Sequence, residues 1–319
     1  MLPLCRWSGC VVALALAAWP LRAAEVGPYL PNQTEAVLVV NVKQLVEAPL
    51  LKDHLEPIKQ ALKQLDVAPQ AFKQLGLEPW NDAERIIVAW TGNPDGESPC
   101  ILLQGNFDNA KIEAAAARIA KEEAKDKNTP VQERFTNGQR VWFLRCAEEP
   151  QWLALGLLDQ GTLFLSRHPG RVAEAVGKKE GKVKHELRKD LQTLLGRLDA
   201  KQSIGVASLS RPLNFAGLLG NLPGNLQNVA GGVTLGDDIR LELALSARDT
   251  QTAKAAAGQL EDSLNQLKAL TAVLVTQKKQ YAPLADLING LKVTTQGNEL
   301  AFKATIDRDL LEKVFKKEP

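Results

Sequence analysis

Hydrophobic and polar positions along the chain predict the same order of elements twice. An apolar run over residues 36–42 predicts a strand that leads into a helical stretch broken by Pro49 and Pro57. Residues 204–209 begin the second series, with a short helix expected from about Leu213. Each series then continues with a hairpin, a helix, a second hairpin and a final helix. This recurrence suggests an internal duplication, although the two series share little sequence identity.

Turn residues mark the predicted hairpins. The strongest signal is Asn137-Gly138, which predicts an additional hairpin in the first series. Alanine-rich helices are predicted from Asn109 and from about Thr250. The other predicted hairpin turns are Asp159-Gln160-Gly161, Gly236-Asp237-Asp238 and Gln296-Gly297-Asn298.

We therefore predict an α+β fold of mainly antiparallel sheets with helices packed on one face, built from two pseudo-repeated halves. Residues 25–199 form the first α+β repeat and residues 200–319 the second, shorter one. An amphipathic helix over residues 182–199 is expected to link them.

The segment LLQGNFDNAKIEAAAARIAKEEAK, residues 102–125, has the strand, glycine turn and helix order of a phosphate site. However, neither G-x-G-x-x-G nor G-x-x-x-x-G-K-[ST] occurs in the chain. Asp108, Asp249 and Asp307 stand before predicted helices as N-caps, and Pro169 suits a first helical position. A capping carboxylate would repel phosphate, so helix capping is the preferred interpretation.

Residues 1–24 have the order of a secretory signal peptide: Arg6, then an apolar run over residues 10–19, then small residues. That run is short for a membrane span, which needs roughly 20 residues. The residues before the expected cut fit a cleavage site imperfectly, so an uncleaved N-terminal anchor is the alternative. We expect an exported protein, periplasmic or extracellular.

Charge argues against a nucleic-acid partner. Removing residues 1–24 takes two of the 39 basic residues and none of the 37 acidic ones, so the mature chain is balanced. A nucleic-acid binder is expected to carry a clear excess of basic residues.

Few residues have the pattern of a catalytic or metal site. His54, His168 and His185 lie far apart and form no zinc motif, so neither a metal nor a cofactor is expected. G-x-S-x-G is absent, and we name no catalytic residue. Cys100 and Cys146 are possible disulfide partners in an oxidising compartment, or else two separate buried thiols.

The tryptophans suggest one ligand hypothesis. Trp90, Trp142 and Trp152 lie on or beside predicted strands, all in the first half. They are expected to pack its core, because tryptophan brings a large buried area. The alternative is an aromatic platform for a glycan or an apolar ligand.

The succession LLQGNFDNAKIEAAA, NGQRVWFL and LALGLLDQGTLFLSRHPGRVAEAV resembles a family of exported bacterial proteins of unknown function. In that family a GxFD strand end precedes a helix, a G-x-x-V-Y hairpin strand follows, and an LDDGTLVLGSP strand and helix come last. Here Trp142 or Phe143 stands at the usual aromatic, and LDQGTLFLSRHP departs modestly from the pattern. The match covers residues 100–177, and YLPNQTEAVLVVNVKQL is similar to the family's mature start. The resemblance implies export and the fold, and it transfers no catalytic residue.

From the sequence we expect a non-enzymatic binding or interaction module of the bacterial envelope. Its partner would be a small apolar ligand or another envelope protein, and it would meet the membrane only if residues 1–24 stay uncleaved. The alternative is a hydrolase whose site is assembled from residues distant in sequence.

Overall fold

One antiparallel sheet of twelve strands organises the protein in a computed structural model. The structure describes residues 28–54, 75–77, 82–92, 99–122, 131–145, 152–159, 161–209, 226–278 and 282–310. The strands are β1 (Thr34–Asn41), β2 (Ala83–Thr91), β3 (Cys100–Gly105), β4 (Val131–Thr136), β5 (Gln139–Arg145), β6 (Trp152–Leu157), β7 (Thr162–Ser166), β8 (Ile204–Ser208), β9 (Leu226–Leu235), β10 (Asp238–Ala247), β11 (Lys292–Gln296) and β12 (Glu299–Asp307). Their order across the sheet is β11-β12-β10-β9-β8-β1-β2-β3-β7-β6-β5-β4. The mixed helices and antiparallel sheet agree with the predicted α+β class.

The helices lie between the strands along the chain. They are α1 (Val42–Glu47), a 3₁₀ helix (Pro49–His54), α2 (Asn109–Glu122), α3 (Pro169–Lys179), α4 (Lys189–Leu195), α5 (Thr250–Gln277) and α6 (Ala282–Asn289).

The long linking helix predicted over residues 182–199 is wrong, because only α4 is helical there. α3 ends just before this segment, and Gly181 has a φ of +71°. The backbone N–H of Lys182 donates to the carbonyl of Gly177 at 2.8 Å, which closes the helix with a C-terminal cap.

The two predicted halves meet at the centre of the sheet, where β1 pairs with β8. Val37 lies opposite Ala207, and Leu38 opposite Val206. Outward from this pair the order is β2, β3, β7, β6 on one side and β9, β10, β12, β11 on the other. The expected separate sheets are therefore one continuous sheet.

Successive side chains on a strand point to opposite faces, so the sheet has two faces. We call the face with Val37 and Ala207 the back face, and the face with Leu38 and Val206 the front face. α3 and α4 pack on the back face. The core there includes Val37, Ile87, Cys100, Leu102, Phe143, Ala154, Phe164, Val172, Ala173, Val176, Leu191, Leu194, Leu195 and Ala207.

Two further helices pack on the front face. α2 covers β3 to β7, with Ile112, Ala116 and Ile119 against a core that includes Leu103, Val131, Trp142, Leu144, Leu155, Leu163 and Leu165. The alanines of α5 pack over β9 to β12, against Leu226, Val229, Leu245 and Leu300. The expectation of helices on one face is wrong, because helices pack on both faces of the sheet. Strands such as β5 and β7 are apolar on both faces and need cover on each.

The predicted Asn137-Gly138 turn and the predicted caps at Asp108 and Asp249 are confirmed, whereas Asp307 is the last residue of β12. Asn137 and Gly138 have φ of +52° and +74°, as a type I′ hairpin turn requires. Asp108 accepts from the backbone N–H of Lys111 at 3.0 Å, and Asp249 from that of Thr252 at 2.7 Å. The segment that opens with Asp108 is therefore a capped helix start.

Asn32 ties the N-terminal segment to α3. Its side-chain oxygen accepts from Lys178 Nζ at 2.7 Å and from the Glu186 N–H at 2.9 Å. Its amide nitrogen donates to the carbonyl of Lys184 at 3.2 Å. Lys178 is 2% exposed and also pairs with Glu174 at 2.9 Å. This buried cation is therefore held by several oxygens.

Candidate functional site

An apolar band crosses the centre of the front face, between the areas where α2 and α5 pack. Val206 is buried and the other side chains of the band are half-buried. The band consists of Leu38, Val40, Val88, Ile204, Val206, Val233, Leu241 and Leu243.

The strand register makes this band continuous. Leu38 lies opposite both Val88 on β2 and Val206 on β8. One row further, Ile204 lies opposite Val233. Gly231 stands between Val206 and Leu243 in the pairing, so one position of the floor has no side chain. Five strands from both halves therefore build one apolar floor.

A ridge of exposed apolar side chains lies on α5, which packs on this same face. Leu267, Leu270 and Val273 are 45%, 57% and 54% exposed. Their spacing of three residues keeps neighbouring members on adjoining parts of the helix surface. We call these three side chains the α5 ridge. These three side chains expose apolar surface to water on a helix whose alanines pack on the front face.

A second feature is a cleft at the ends of strands β5 and β6, with a volume of about 460 Å³. The N-terminal end of α2 and the C-terminal end of α3 flank it, on opposite faces of the sheet. Its lining residues are Asn109, Ala110, Glu113, Phe135, Gly138, Gln139, Arg140, Trp142, Leu157, Leu158, Val176, Lys179, Glu180 and Lys182.

The carboxylates of the cleft are paired with cations of the same cleft. Glu113 forms an ion pair with Arg140, and Glu180 lies 2.6 Å from Lys182. The hydrogen bond from Lys182 holds the pKa of Glu180 below its usual value. Lys179 Nζ donates to the carbonyl of Leu157 at 3.2 Å. The site thus offers hydrogen-bonding groups with little uncompensated charge.

No family model, curated protein or solved structure matches this chain. The resemblance to exported bacterial proteins therefore stays a prediction. Among the described residues, no three or more His, Cys, Asp or Glu side chains are grouped so as to hold a metal ion. Nor does any helix of the described ranges have the length and apolar character needed to cross a bilayer.

The structure does not bring the three predicted tryptophans together. Trp142 is buried in the front core under α2, whereas Trp152 packs half-buried against the back core. Trp90 lies on β2 opposite Ala36, on the front face. Of the three, only Trp142 reaches the cleft, as part of its wall.

Cys100 is a free, buried thiol at the start of β3, and burial raises its pKa to about 11. Cys146 lies outside the described residues, so the disulfide stays a prediction.

The histidines are dispersed, as their sequence positions indicated. His54 ends the 3₁₀ helix, and His168 is the N-cap of α3. His185 follows α3, where burial and the charge of Lys178 lower its pKa. No histidine appears among the lining residues of the cleft that lie in the described part of the chain.

Sequence reasoning missed both the band and the cleft. A partial signal for the ridge was present, since residues 267–275 read LKALTAVLV, with apolar residues on more than one side of a helix. The cleft had no such signal, because its walls come from α2, α3 and two hairpins far apart in the chain.

Proposed function

We propose that the protein is a non-enzymatic binding module of the bacterial envelope that uses its front face. The continuous, half-buried apolar band carries this proposal together with the exposed α5 ridge, because contiguous apolar surface that water can reach often marks a binding site. The α5 ridge extends the same character to a helix beside the sheet. An apolar ligand or an apolar segment of another envelope protein fits this surface.

Export and the two-repeat organisation belong to the same proposal. Residues 1–24 lie outside the described residues, and their signal-peptide pattern supports export. The matching strand orders on either side of β1 and β8 support a duplication of residues 25–199 and 200–319. N-terminal sequencing of the protein from fractionated cells tests export and cleavage together.

The direct test of binding is native mass spectrometry of the protein purified from its own envelope. We expect the native spectrum to show an added mass from a bound apolar molecule. This added mass should disappear when the molecule is extracted with organic solvent. A bare mass in every preparation would contradict the ligand form of the proposal and leave the protein-segment form, which crosslinking in intact cells would examine.

Substitutions on α5 give a matched pair of variants. We expect Leu270→Glu to weaken capture of the ligand or crosslinked partner, because it places a charge in the α5 ridge. Gln259→Glu adds the same charge to an exposed position on the same helix and should leave capture unchanged. Equal effects of the two variants would contradict a role for the ridge.

The alternative of a hydrolase finds less support. A general acid or base needs a pKa tuned towards neutral pH, whereas the pKa of Glu180 is lowered and Glu113 is paired with Arg140. The described residues that line the cleft include no serine, cysteine or histidine. Binding is therefore the function that the geometry favours.

A further inference from the structure

The cleft at the strand ends has a different chemistry from the apolar band. Its lining side chains include three cations, Arg140, Lys179 and Lys182, and two carboxylates, Glu113 and Glu180. Most of this surface is therefore able to donate or accept hydrogen bonds. A small ligand in such a site would be held mainly by oriented polar contacts.

The pairing of these charges argues for a neutral ligand. Arg140 holds Glu113 and also Glu133, whose oxygen lies 3.0 Å from Nε. An anionic ligand would have to compete with these carboxylates for the cations, and a cationic ligand with the cations for the carboxylates. A neutral ligand would keep both ion pairs and use their remaining donors and acceptors.

The inner wall is fixed by a polar contact across the cleft. Gln139 is 6% exposed, and with its amide nitrogen towards Glu180 it donates to the two carboxylate oxygens at 3.2 and 2.9 Å. Because Gln139 begins β5 and Glu180 follows α3, this contact ties the sheet end to the helix. The polar groups are therefore held in place before a ligand arrives.

An exposed aromatic ring stands beside these groups. Phe135 on β4 lines the cleft and is 71% exposed, the highest value among the exposed large hydrophobic side chains of the described residues. Its place near the end of the sheet's edge strand leaves the ring open to solvent. Trp142 contributes only to the wall, since it is 2% exposed.

We propose that this cleft binds a neutral, hydroxyl-rich ligand of the saccharide class. Such a ligand has an apolar C–H face, which fits against the Phe135 ring, and hydroxyl groups that both donate and accept. The paired carboxylates, the guanidinium group and the amide groups of the cleft can form hydrogen bonds with those hydroxyls, and the ligand needs no charge for this. This site is separate from the apolar band and does not depend on the function proposed for it.

Saturation-transfer NMR on the purified protein tests this with two neutral probes, N,N′-diacetylchitobiose and maltose. We expect saturable binding of at least one probe, with affinity unchanged between low and high salt because no ion pair forms. Phe135→Ala should weaken it roughly five- to tenfold, the loss of one aromatic contact, and Phe135→Tyr should preserve it. Val46→Ala removes an exposed apolar side chain of α1, outside the described lining of the cleft, and should have no effect.

Several results would overturn the proposal. These are no saturable binding of either sugar, binding indifferent to Phe135→Ala, or affinity that falls steeply with salt. Inorganic phosphate and N-acetyl-trialanine amide serve as anionic and peptide probes. Tighter binding of either one at the same residues would assign the cleft to that class instead.

Discussion

The two flanks of the sheet cover their back faces differently. In the first flank, β2 to β7, Phe164 and Phe143 are buried beneath α3. In the second flank, β9 to β12, the same face carries Glu242 and Lys303, an exposed pair 3.3 Å apart. The two flanks therefore share a similar strand order but differ in burial. The first is buried on both faces, whereas the described helices of the second pack mainly on its front face.

Because of this difference in burial, the first flank contributes more to stability and the second exposes more of the proposed apolar binding surface. The first flank holds the larger side chains and the buried cation Lys178. The second flank is packed through the small side chains Ala253, Ala256 and Ala257, and it carries the α5 ridge. We expect substitutions of buried side chains in the first flank to act on folding, and those in the α5 ridge of the second flank to act mainly on binding.

The largest expected contrast is between two phenylalanines. Phe164→Ala should lower the free energy of unfolding by about 3–5 kcal/mol, since this side chain is fully buried. Phe302→Ala, at a half-buried position on β12, should cost about 1–2 kcal/mol. Urea unfolding measures both, and equal losses would show that the flanks do not differ in this way.

A second contrast concerns two lysines in ion pairs. Lys178→Met should cost about 2–4 kcal/mol, because it removes the buried partner of Glu174 and takes one hydrogen-bond donor each from the oxygens of Leu30 and Asn32. Lys303→Met should change stability by less than about 1 kcal/mol, as expected for an exposed pair. Thermal unfolding of the two variants makes the comparison, and a large loss from Lys303→Met would contradict it.

The smallest effect should be the same in both flanks. Asp108→Ala and Asp249→Ala each remove a helix cap, and we expect small, similar falls in the urea midpoint. Hydrogen bonds from backbone N–H groups lower the pKa of both carboxyls from 3.8. Each cap therefore stabilises the fold above the unfolded pKa and loses this effect as pH falls through the lowered folded value.

The urea midpoints of the wild type and the two cap variants should accordingly differ at pH 7 and become equal in acid. Asp262→Ala, at an exposed position within α5, is the control and should show no such convergence. A difference that persists below the folded pKa would mean that the carboxylate is not the stabilising group.

Local signals predicted much of the fold. Asn137-Gly138 specified its hairpin turn, and Asp108 and Asp249 specified helix starts, because each acts through neighbouring backbone groups. The pairing of β1 with β8 had no such signal, since it joins residues about 170 positions apart. Long-range pairing depends on the whole sheet and leaves little trace in a short window of sequence.

The sequence contains a signal for helices on both faces of the sheet, although we predicted them on one face only. VWFLR in β5 and TLFLS in β7 are continuous apolar runs, which indicate strands buried on both faces. By contrast, the short helix α4 follows from the cap at Gly181 and from the contacts of Asn32 with residues 184 and 186, which interrupt an otherwise helical pattern.

Asn32-Gln33-Thr34 also has the form of an N-glycosylation acceptor. In the folded protein the Asn32 amide nitrogen donates to Lys184, and Thr34 is fully buried. A glycan could be attached only before folding, and it would then occupy the space that α3 and residues 184–186 need. Recombinant material for structural or binding work should therefore come from a host without this modification, or the sequon should be checked for occupancy first.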